Sequence, residues 1–192
     1  QVAALTTTQI ACLNTDDLTA LTTAQYATVS SAQAAAFTTD QIAALESADL
    51  RALSSAAIRG WNTDQLGALS SDNMAALTTG QVAALTTTQV SSLVSDDLNA
   101  LGTAQFAALT TAQVASLTAS QISTLESSDL RALSTAQFAA LSTAQAAALT
   151  TDQMPTLESA DLRALSSNAL RALSTDQLAA LTSDQIGALT TG

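Results

Sequence analysis

The side chains of this sequence that could do chemistry are hydroxyls and carboxylates. The 192 residues include five arginines and sixteen acidic residues, no lysine and no histidine, for a net charge of -11. A serine or threonine becomes a nucleophile only beside a general base, usually histidine or lysine. Because the chain supplies neither base, we predict no catalytic residue and a protein that is not an enzyme.

The acidic residues also suggest metal binding, which their spacing disfavours. The pairs Asp16–Asp17 and Asp96–Asp97 lack the glycine-containing loop of several oxygen ligands that calcium sites use. Zinc needs a set of cysteine or histidine ligands, and Cys12 is the single cysteine. We expect no metal-binding or cofactor-binding residue and no cofactor, and we expect Cys12 to be a small buried residue.

A second charged pattern places a glutamate five residues before an arginine. One interpretation is a recognition stripe for a partner; the favoured one is a set of ion pairs between coils at the solvent edge, each contributing little. The residues are Glu46, Glu126 and Glu158 with Arg51, Arg131 and Arg163.

Composition excludes further classes of partner. Nucleic-acid binding depends on clustered lysine and arginine, so we predict no nucleic-acid partner for this acidic chain. Serine or threonine interrupts every apolar run before the roughly 20 residues that a membrane span requires, which predicts no membrane insertion.

The elements that would position these side chains follow a strict period. The sequence divides into twenty-four octads of the form Q-[VIL]-A-A-L-[ST]-[ST]-x, without insertion or deletion inside an octad. Position 5 is leucine in all octads except those with Val29, Phe37 and Trp61. Positions 2 and 5 share one face of a helical turn, so we expect them, including the aromatic residues Tyr26, Phe37, Trp61, Phe106 and Phe138, to fill the core.

Each octad contains signals for one short helix. Serine or threonine at positions 6 and 7, with glutamine three residues after position 6, has the spacing of a capping box. A single continuous helix would rotate its apolar face by about 80° per octad, and an alanine-rich, glutamine-rich strand is disfavoured. Pro155 at position 3 would break a long helix but fits the first turn of a short one. Such short helices must be stabilised by neighbours, as in a solenoid.

A longer pattern of four octads predicts the coil. Asp-Leu opens the second octad of each 32-residue unit, and every spacing between these octads is a multiple of 16. We therefore predict an all-α solenoid with one very short helix per repeat, two antiparallel helices (16 residues) per coil, a 32-residue superrepeat, and one domain over residues 1–192. The units are 9–40, 41–72, 89–120, 121–152 and 153–184, with a two-octad insertion at 73–88.

The run TTAQVASLTASQISTL at 111–126, of the form T-x-Q-[VI]-A-A-L-[ST], resembles octapeptide arrays in very large bacterial surface and secreted proteins. The resemblance implies an extracellular or cell-surface location and a stalk or fibre. Terminal octads that match interior ones predict either a stretch from a longer array or copies that stack end to end. The predicted function is a structural, self-assembling filament segment. The alternatives are a binding solenoid that holds a protein or glycan along one face, and an ice- or mineral-templating threonine surface.

Overall fold

The structure is a computed structural model that describes residues 1–189. Within that range all regular elements are short helices, which confirms the predicted all-α solenoid of very short helices. The chain divides into two compact units, residues 1–101 (unit 1) and 102–192 (unit 2). Unit 1 holds a 3-10 helix, Val2–Ala4, and the α-helices α1 (Thr7–Cys12), α2 (Thr15–Thr19), α3 (Thr23–Tyr26), α4 (Ser31–Ala34), α5 (Thr39–Ala43), α6 (Ser47–Ala52), α7 (Ser55–Arg59), α8 (Thr63–Leu66), α9 (Ser71–Ala76), α10 (Thr79–Ala84), α11 (Thr87–Ser92) and α12 (Ser95–Asn99).

Unit 2 repeats the same element. It holds α13 (Thr103–Ala108), α14 (Thr111–Ser116), α15 (Ala119–Thr124), α16 (Ser127–Leu130), α17 (Thr135–Ala139), α18 (Thr143–Ala148), a 3-10 helix (Met154–Thr156), α19 (Ser159–Ala164), α20 (Ser167–Arg171), α21 (Thr175–Ala179) and α22 (Ser183–Gly187). Each α-helix therefore begins at octad position 7, one residue after a capping residue at position 6.

Helix initiation follows the capping box. In α10 the Thr78 side chain accepts the backbone N–H of Gln81 at 3.2 Å, and the Gln81 side chain accepts the backbone N–H of Thr78 at 2.8 Å. Two of the donors that a helix N-terminus leaves unpaired are satisfied in this way. The sequence predicted this box, but position 7, also expected to cap, is the first helical residue, as Thr79 shows.

Helix termination depends on position 5. Leu53, after α6, has φ −61° and ψ 139°, an extended conformation that carries its side chain into the core at 2% exposure. The described residues include no positive φ, so the corner between helices needs no left-handed glycine. Leucine is thus both the end of one helix and a core residue, which explains its near-constancy.

The predicted core is confirmed. Position-2 residues of the inner turns, such as Ile42 and Leu130, are fully buried, and position-5 residues such as Leu85 are nearly so. All five aromatic residues at these positions are buried. Each buried leucine contributes about 1.5–3 kcal/mol before the entropy of ordering is subtracted.

The prediction of two octads per coil is wrong. Helices contact partners three places along the chain, as α4 with α7 and α7 with α10 in unit 1, and α15 with α18 in unit 2. Side-chain hydrogen bonds between turns span 28 and 31 residues, as Gln81 with Leu53 and Leu50. One turn therefore takes between three and four octads, and the extended corner bends the chain without reversing it into an antiparallel pair.

The reason for that error is the two-octad insertion at 73–88. The prediction assumes that the insertion keeps the Asp-Leu octads on the same face of the solenoid. That assumption holds only if two octads complete a whole number of turns. The structure shows that contacts between turns use backbone carbonyls and apolar side chains that every octad provides. Extra octads therefore shift the superrepeat along the solenoid without interrupting its packing.

Pro155 changes the helix in which it lies. The α-helices begin at position 7, which is Thr151 here. Counted from Thr151, Pro155 is the fifth residue, where a backbone N–H would bond to the carbonyl four residues earlier. Proline has no such donor, and the octad forms a 3-10 helix, Met154–Thr156, in place of an α-helix. The proline is accommodated as predicted, but by a change of helix type.

Cys12 corrects another expectation. Its side chain is exposed, because position 4 lies at the rim of each turn and not in the core. The predicted buried cysteine is therefore wrong.

Candidate functional site

The feature that connects one turn to the next is the side chain at octad position 1. Gln81 is 2% exposed. Its Oε1 accepts the N–H of Thr78 at the start of its own helix at 2.8 Å. Its Nε2 donates to the carbonyls of Leu50 and Leu53, at 2.8 and 2.9 Å, at the end of a helix in the preceding turn. One amide thus satisfies two helix ends at once.

This arrangement recurs in both units, and we call it the glutamine ladder. Each member donates its Nε2 to carbonyls of the preceding turn, as Gln41 does to Leu13 and Ile10, which lie 28 and 31 residues earlier. Its members include Gln33, Gln41, Gln65, Gln81 and Gln89 in unit 1, and Gln137, Gln145, Gln153, Gln177 and Gln185 in unit 2.

The ladder solves a problem inherent in short helices. A helix leaves its last carbonyls without intrahelical partners, and in helices of four to six residues these are a large share of all backbone groups. A buried carbonyl without a partner costs about 1–3 kcal/mol. The ladder supplies that partner at the junction between turns.

At Trp61 a different side chain donates to the farther of the two ladder carbonyls, the one 31 residues before the position-1 glutamine. Its Nε1 donates to the carbonyl of Ala34 at 2.9 Å, which takes the place in this turn that Leu50 takes for Gln81. Gln65 then donates to Ala35 at 3.1 Å and to Phe37 at 2.6 Å. Ala34, whose carbonyl accepts this bond, is itself fully buried.

Tyr26 likewise supplies the donor to a farther ladder carbonyl, in a register where the position-1 residue is aspartate. Asp49 cannot donate when ionised, and the farther carbonyl in its ladder register belongs to Leu18. The Tyr26 hydroxyl donates to that carbonyl at 3.0 Å. Burial raises the pKa of Tyr26 to about 12, with Asp49 and Glu46 adding in the same direction, so the phenol remains a donor.

Asn73 occupies position 1 with a side chain one carbon shorter than glutamine, and it makes two hydrogen bonds to the preceding turn. Its Nδ2 donates to the carbonyl of Leu45, 28 residues earlier, at 2.8 Å. Its Oδ1 accepts from the Ser47 hydroxyl, 26 residues earlier, at 2.7 Å. Asp49 accepts from Thr23 in the same register at 3.0 Å, so aspartate keeps the second bond and lacks the donor for the first.

Four of the five aspartates at position 1 are buried: Asp49, Asp97, Asp129 and Asp161. Asp17 is exposed. Burial raises the pKa of Asp129 to about 6, and Glu126 acts in the same direction. Burial also raises the pKa of Asp97, with Asp96 adding to it. For Asp161 burial and Glu158 raise the pKa while a hydrogen bond from Thr135 lowers it, and the net shift is upward.

The glutamate and arginine residues at positions 6 and 3 all lie on the exposed surface: Glu46, Glu126, Glu158, Arg51, Arg131 and Arg163. Arg131 and Glu158, from successive turns of unit 2, line one open cleft of about 340 Å³ together with Thr103, Ser128 and Ala132. The pattern therefore brings charges of neighbouring turns to the surface. The ion pairs between coils stay a prediction.

Two other kinds of feature are absent from the part of the chain that the structure describes. Within residues 1–189 no group of three histidine, cysteine or acidic side chains is placed to hold a metal ion. Over the same part of the chain, no helix has both the length and the apolar character that crossing a membrane would demand.

Sequence reasoning missed the ladder. The sequence pattern predicts that glutamine forms one half of the capping box. It treats position 1 as part of a uniform exposed face. The available signal was its near-constancy in every octad, together with replacement by asparagine, aspartate or alanine only. An exposed residue in a repeat of this length would vary more freely, because burial and hydrogen bonding constrain a residue more strongly than solvent does.

Comparison with known proteins identifies the repeat. No curated protein shows significant similarity to the chain. The family model of the ALTTAQ repeat matches five tandem segments, residues 10–46, 42–79, 92–126, 122–158 and 154–191. The ALTTAQ string itself occurs twice, at 20–25 and 108–113. With the short helices, the constant leucine core and the glutamine ladder already established, these matches cover most of the sequence, and the chain belongs to the ALTTAQ repeat family.

Proposed function

We propose that this protein is a structural repeat segment of an extracellular filament or cell-surface stalk, and that copies of it associate end to end. The observation that carries the proposal is the directional complementarity of the turns. Each turn donates position-1 amides towards the preceding turn and offers position-2 and position-5 carbonyls to the following one. The same bonds can therefore join two copies.

The outermost described turns of the two units expose groups that the inner turns bury. In unit 1, Gln1 and Gln9 are exposed, whereas the ladder glutamines of the inner turns are buried. In the last turn Leu178 and Ile186 are 40% and 48% exposed, whereas position-2 residues of the inner turns are fully buried. One further turn of the same repeat would cover these side chains and pair these amides.

A structural role also fits what the hydroxyls do. Serine and threonine at position 6 accept backbone N–H groups as helix caps, as Ser134 does for Gln137. A hydroxyl used as a cap is committed to the fold, and no histidine or lysine in the sequence could activate another one. The proposal is therefore a protein without catalytic activity, located outside the cell like the repeat arrays that its sequence resembles.

The alternative function is a binding solenoid that holds a protein or glycan. The cleft lined by Arg131, Glu158 and Ser128 favours it, because a charged pair beside hydroxyls can bind polar ligands. The exposed faces elsewhere are uniform, whereas binding solenoids vary the exposed face. We therefore rank assembly above binding.

Sedimentation velocity over a range of concentrations, with negative-stain microscopy, tests the proposal. The wild-type chain should form concentration-dependent end-to-end oligomers and fibres. The double variant Leu178→Asp with Ile186→Asp should stay monomeric with an unchanged helical circular dichroism spectrum, since both side chains already lie at the surface.

The matched control is Val94→Asp. Val94 is 61% exposed but is the capping residue of α12 at position 6, away from the edge residues of position 2. The control should assemble like wild type. A wild-type chain that remains monomeric at millimolar concentration, or a control that loses assembly as fully as the double variant, would overturn end-to-end association.

A further inference from the structure

The glutamine ladder is interrupted in the same way once in each unit. Two consecutive octads carry aspartate and then alanine at position 1 in place of glutamine: Asp49 and Ala57 in unit 1, and Asp161 and Ala169 in unit 2. All four residues are buried. Since one turn takes between three and four octads, each pair removes the amide from about half of one contact between turns. We call each pair a ladder gap.

The alanine of a gap loses both functions of the glutamine amide. The ladder carbonyls lie 28 and 31 residues before position 1, and for Ala57 they belong to Val29 and Tyr26. A methyl group donates to neither. The Ser54 hydroxyl accepts the N–H of Ala57 at 3.1 Å, but the return bond of a capping box needs a side-chain acceptor that alanine lacks. Both the helix start and the contact between turns are therefore weakened at this octad.

The second gap has the same construction. Ser166 accepts the N–H of Ala169 at 3.1 Å, which again is half of a capping box. The ladder carbonyls in this register belong to Leu141 and Phe138. The two gaps thus share one pattern of missing bonds, although they lie in different units.

The aspartate octads of the gaps are also poor in hydrogen bonds. Asp49 accepts a hydrogen bond from Thr23 at 3.0 Å, but an ionised carboxylate donates to no carbonyl. The capping residues before the two aspartates, Glu46 and Glu158, make no side-chain capping bond. Each gap therefore combines two octads that start with fewer bonds than a glutamine octad does.

A gap lacks bonds on only one of its two sides. In unit 1, Leu50 and Ile58 of the gap octads are fully buried. Their carbonyls accept from Gln81 at 2.8 Å and from Gln89 at 3.1 Å, in the following turn. The apolar core and the bonds to the following turn are therefore intact, and the deficit lies towards the preceding turn.

We propose that each unit opens first at its ladder gap. In unit 1, α6 and α7 separate from the preceding turn while the flanking residues Gln41 and Gln65, which bond to that turn, stay closed. In unit 2, α19 and α20 separate in the same way. Local opening follows the path that breaks the fewest interactions, and the buried apolar side chains pack again on closing. The inference does not depend on the proposed filament role.

Native-state amide hydrogen exchange of the full chain, followed by NMR at neutral pH, tests the proposal. Position-2 amides are matched probes, because each bonds to the carbonyl of its capping residue and belongs to a fully buried residue. The gap probes in unit 1 are Leu50 and Ile58, and the flanking probes are Ile42 and Leu66. The gap probes should have protection factors roughly tenfold lower, the factor that about one net hydrogen bond produces.

The order of protection along the chain distinguishes a gap from fraying. Fraying from the outermost turn of unit 1 would make Ile42 less protected than Ile58, with a steady rise towards Leu66. A gap instead gives a minimum between the two flanking probes. In unit 2, Leu162 should likewise be less protected than Phe138 and Ala146, which are equally buried.

Gln81→Ala creates a gap where the wild-type ladder is complete. It should lower the protection of Val82 roughly tenfold relative to that of Val90, which keeps its ladder glutamine. The matched control is Thr79→Ala, because Thr79 is exposed and is the first helical residue of α10, not its cap. The control should leave the ratio of the two protection factors unchanged.

Ala57→Gln is the reverse change and supplies the missing amide. It should raise the protection of Ile58 to the level of Leu66. Its control, Ala56→Gln, adds a glutamine at the exposed neighbouring position and should leave the wild-type profile in place. If the longer side chain at the buried position prevents folding, the wild-type profile and Gln81→Ala still decide.

Two results would overturn the proposal. One is a wild-type profile in which Leu50 and Ile58 are at least as protected as both flanking probes, or in which protection rises steadily away from the outermost turn. The other is an unchanged ratio of Val82 to Val90 protection in Gln81→Ala.

Discussion

Two adjacent octads of unit 2, counted here from position 6 to the following position 5, separate formation of the helix from the contact between turns. Residues 150–157 contain Pro155 and form a 3-10 helix, yet Gln153 keeps its three hydrogen bonds, to Thr150, Ile122 and Leu125. Residues 158–165 form the full α-helix α19 but carry Asp161 in place of glutamine. One octad lacks the α-helix and the other lacks the amide.

Both octads still occupy their place in the solenoid. Met154 and Leu162 at position 2 are fully buried, and Leu157 and Leu165 at position 5 are each 4% exposed. The comparison teaches that burial of positions 2 and 5 defines the repeat. The ladder bonds and the α-helical form stabilise this packing, but an octad can lack either one and still bury positions 2 and 5.

The largest effect should come from the shared core. Leu157→Ala and Leu165→Ala should each lower the free energy of unfolding by about 2–5 kcal/mol, through lost transfer energy and a residual cavity. Urea unfolding followed by circular dichroism measures both. Leu178→Ala, at a 40% exposed position, is the control and should cost clearly less. A much smaller loss at Leu157 than at Leu165 would show that the 3-10 octad is loosely packed.

A smaller effect should come from the ladder amide that residues 150–157 retain. Gln153→Ala removes three hydrogen bonds and leaves two carbonyls of the preceding turn without their partner, so we expect a loss of about 2–4 kcal/mol. The exposed neighbour Asp152→Ala should change stability by less than about 0.5 kcal/mol. Hydrogen exchange of unit 2 amides measures both changes, and equal effects would remove the distinction between ladder and surface.

The smallest effect should come from the two capping residues. Thr150 accepts the N–H of Gln153 at 3.2 Å, and Thr150→Ala should cost about 1 kcal/mol while Thr150→Ser should restore it. Glu158 makes no side-chain capping bond, so Glu158→Ala should leave the unfolding free energy nearly unchanged. Thermal unfolding compares the pair, and a larger loss at Glu158 would contradict the assignment of the caps.

The sequence predicted the local structure well because the signals are local. The spacing of Thr78 and Gln81 predicts a helix start, and the spacing of positions 2 and 5 predicts a buried face. The errors have a common cause. The exposure of Cys12, the burial of Gln81 and the number of octads per turn depend on how far the chain bends at each extended leucine, and no residue type encodes that angle alone.

Only one of the two contacts made by each ladder glutamine was predictable from the sequence. Pairing of Gln81 with Thr78 lies within one octad and is visible as a motif. Pairing of Gln81 with Leu50 and Leu53 joins backbone atoms of another turn, and every residue offers the same carbonyl whatever its side chain. A sequence pattern can identify the donor in such a contact but not the acceptor.

The sequence by itself determined the period, the position of each helix start and the identity of the core residues, because these depend on capping groups and apolar side chains a few residues apart. Only the tertiary structure decided which turn each glutamine reaches and which position-1 aspartates become buried. Those outcomes depend on the summed bend of three to four corners, a geometric quantity that exists only once successive turns pack.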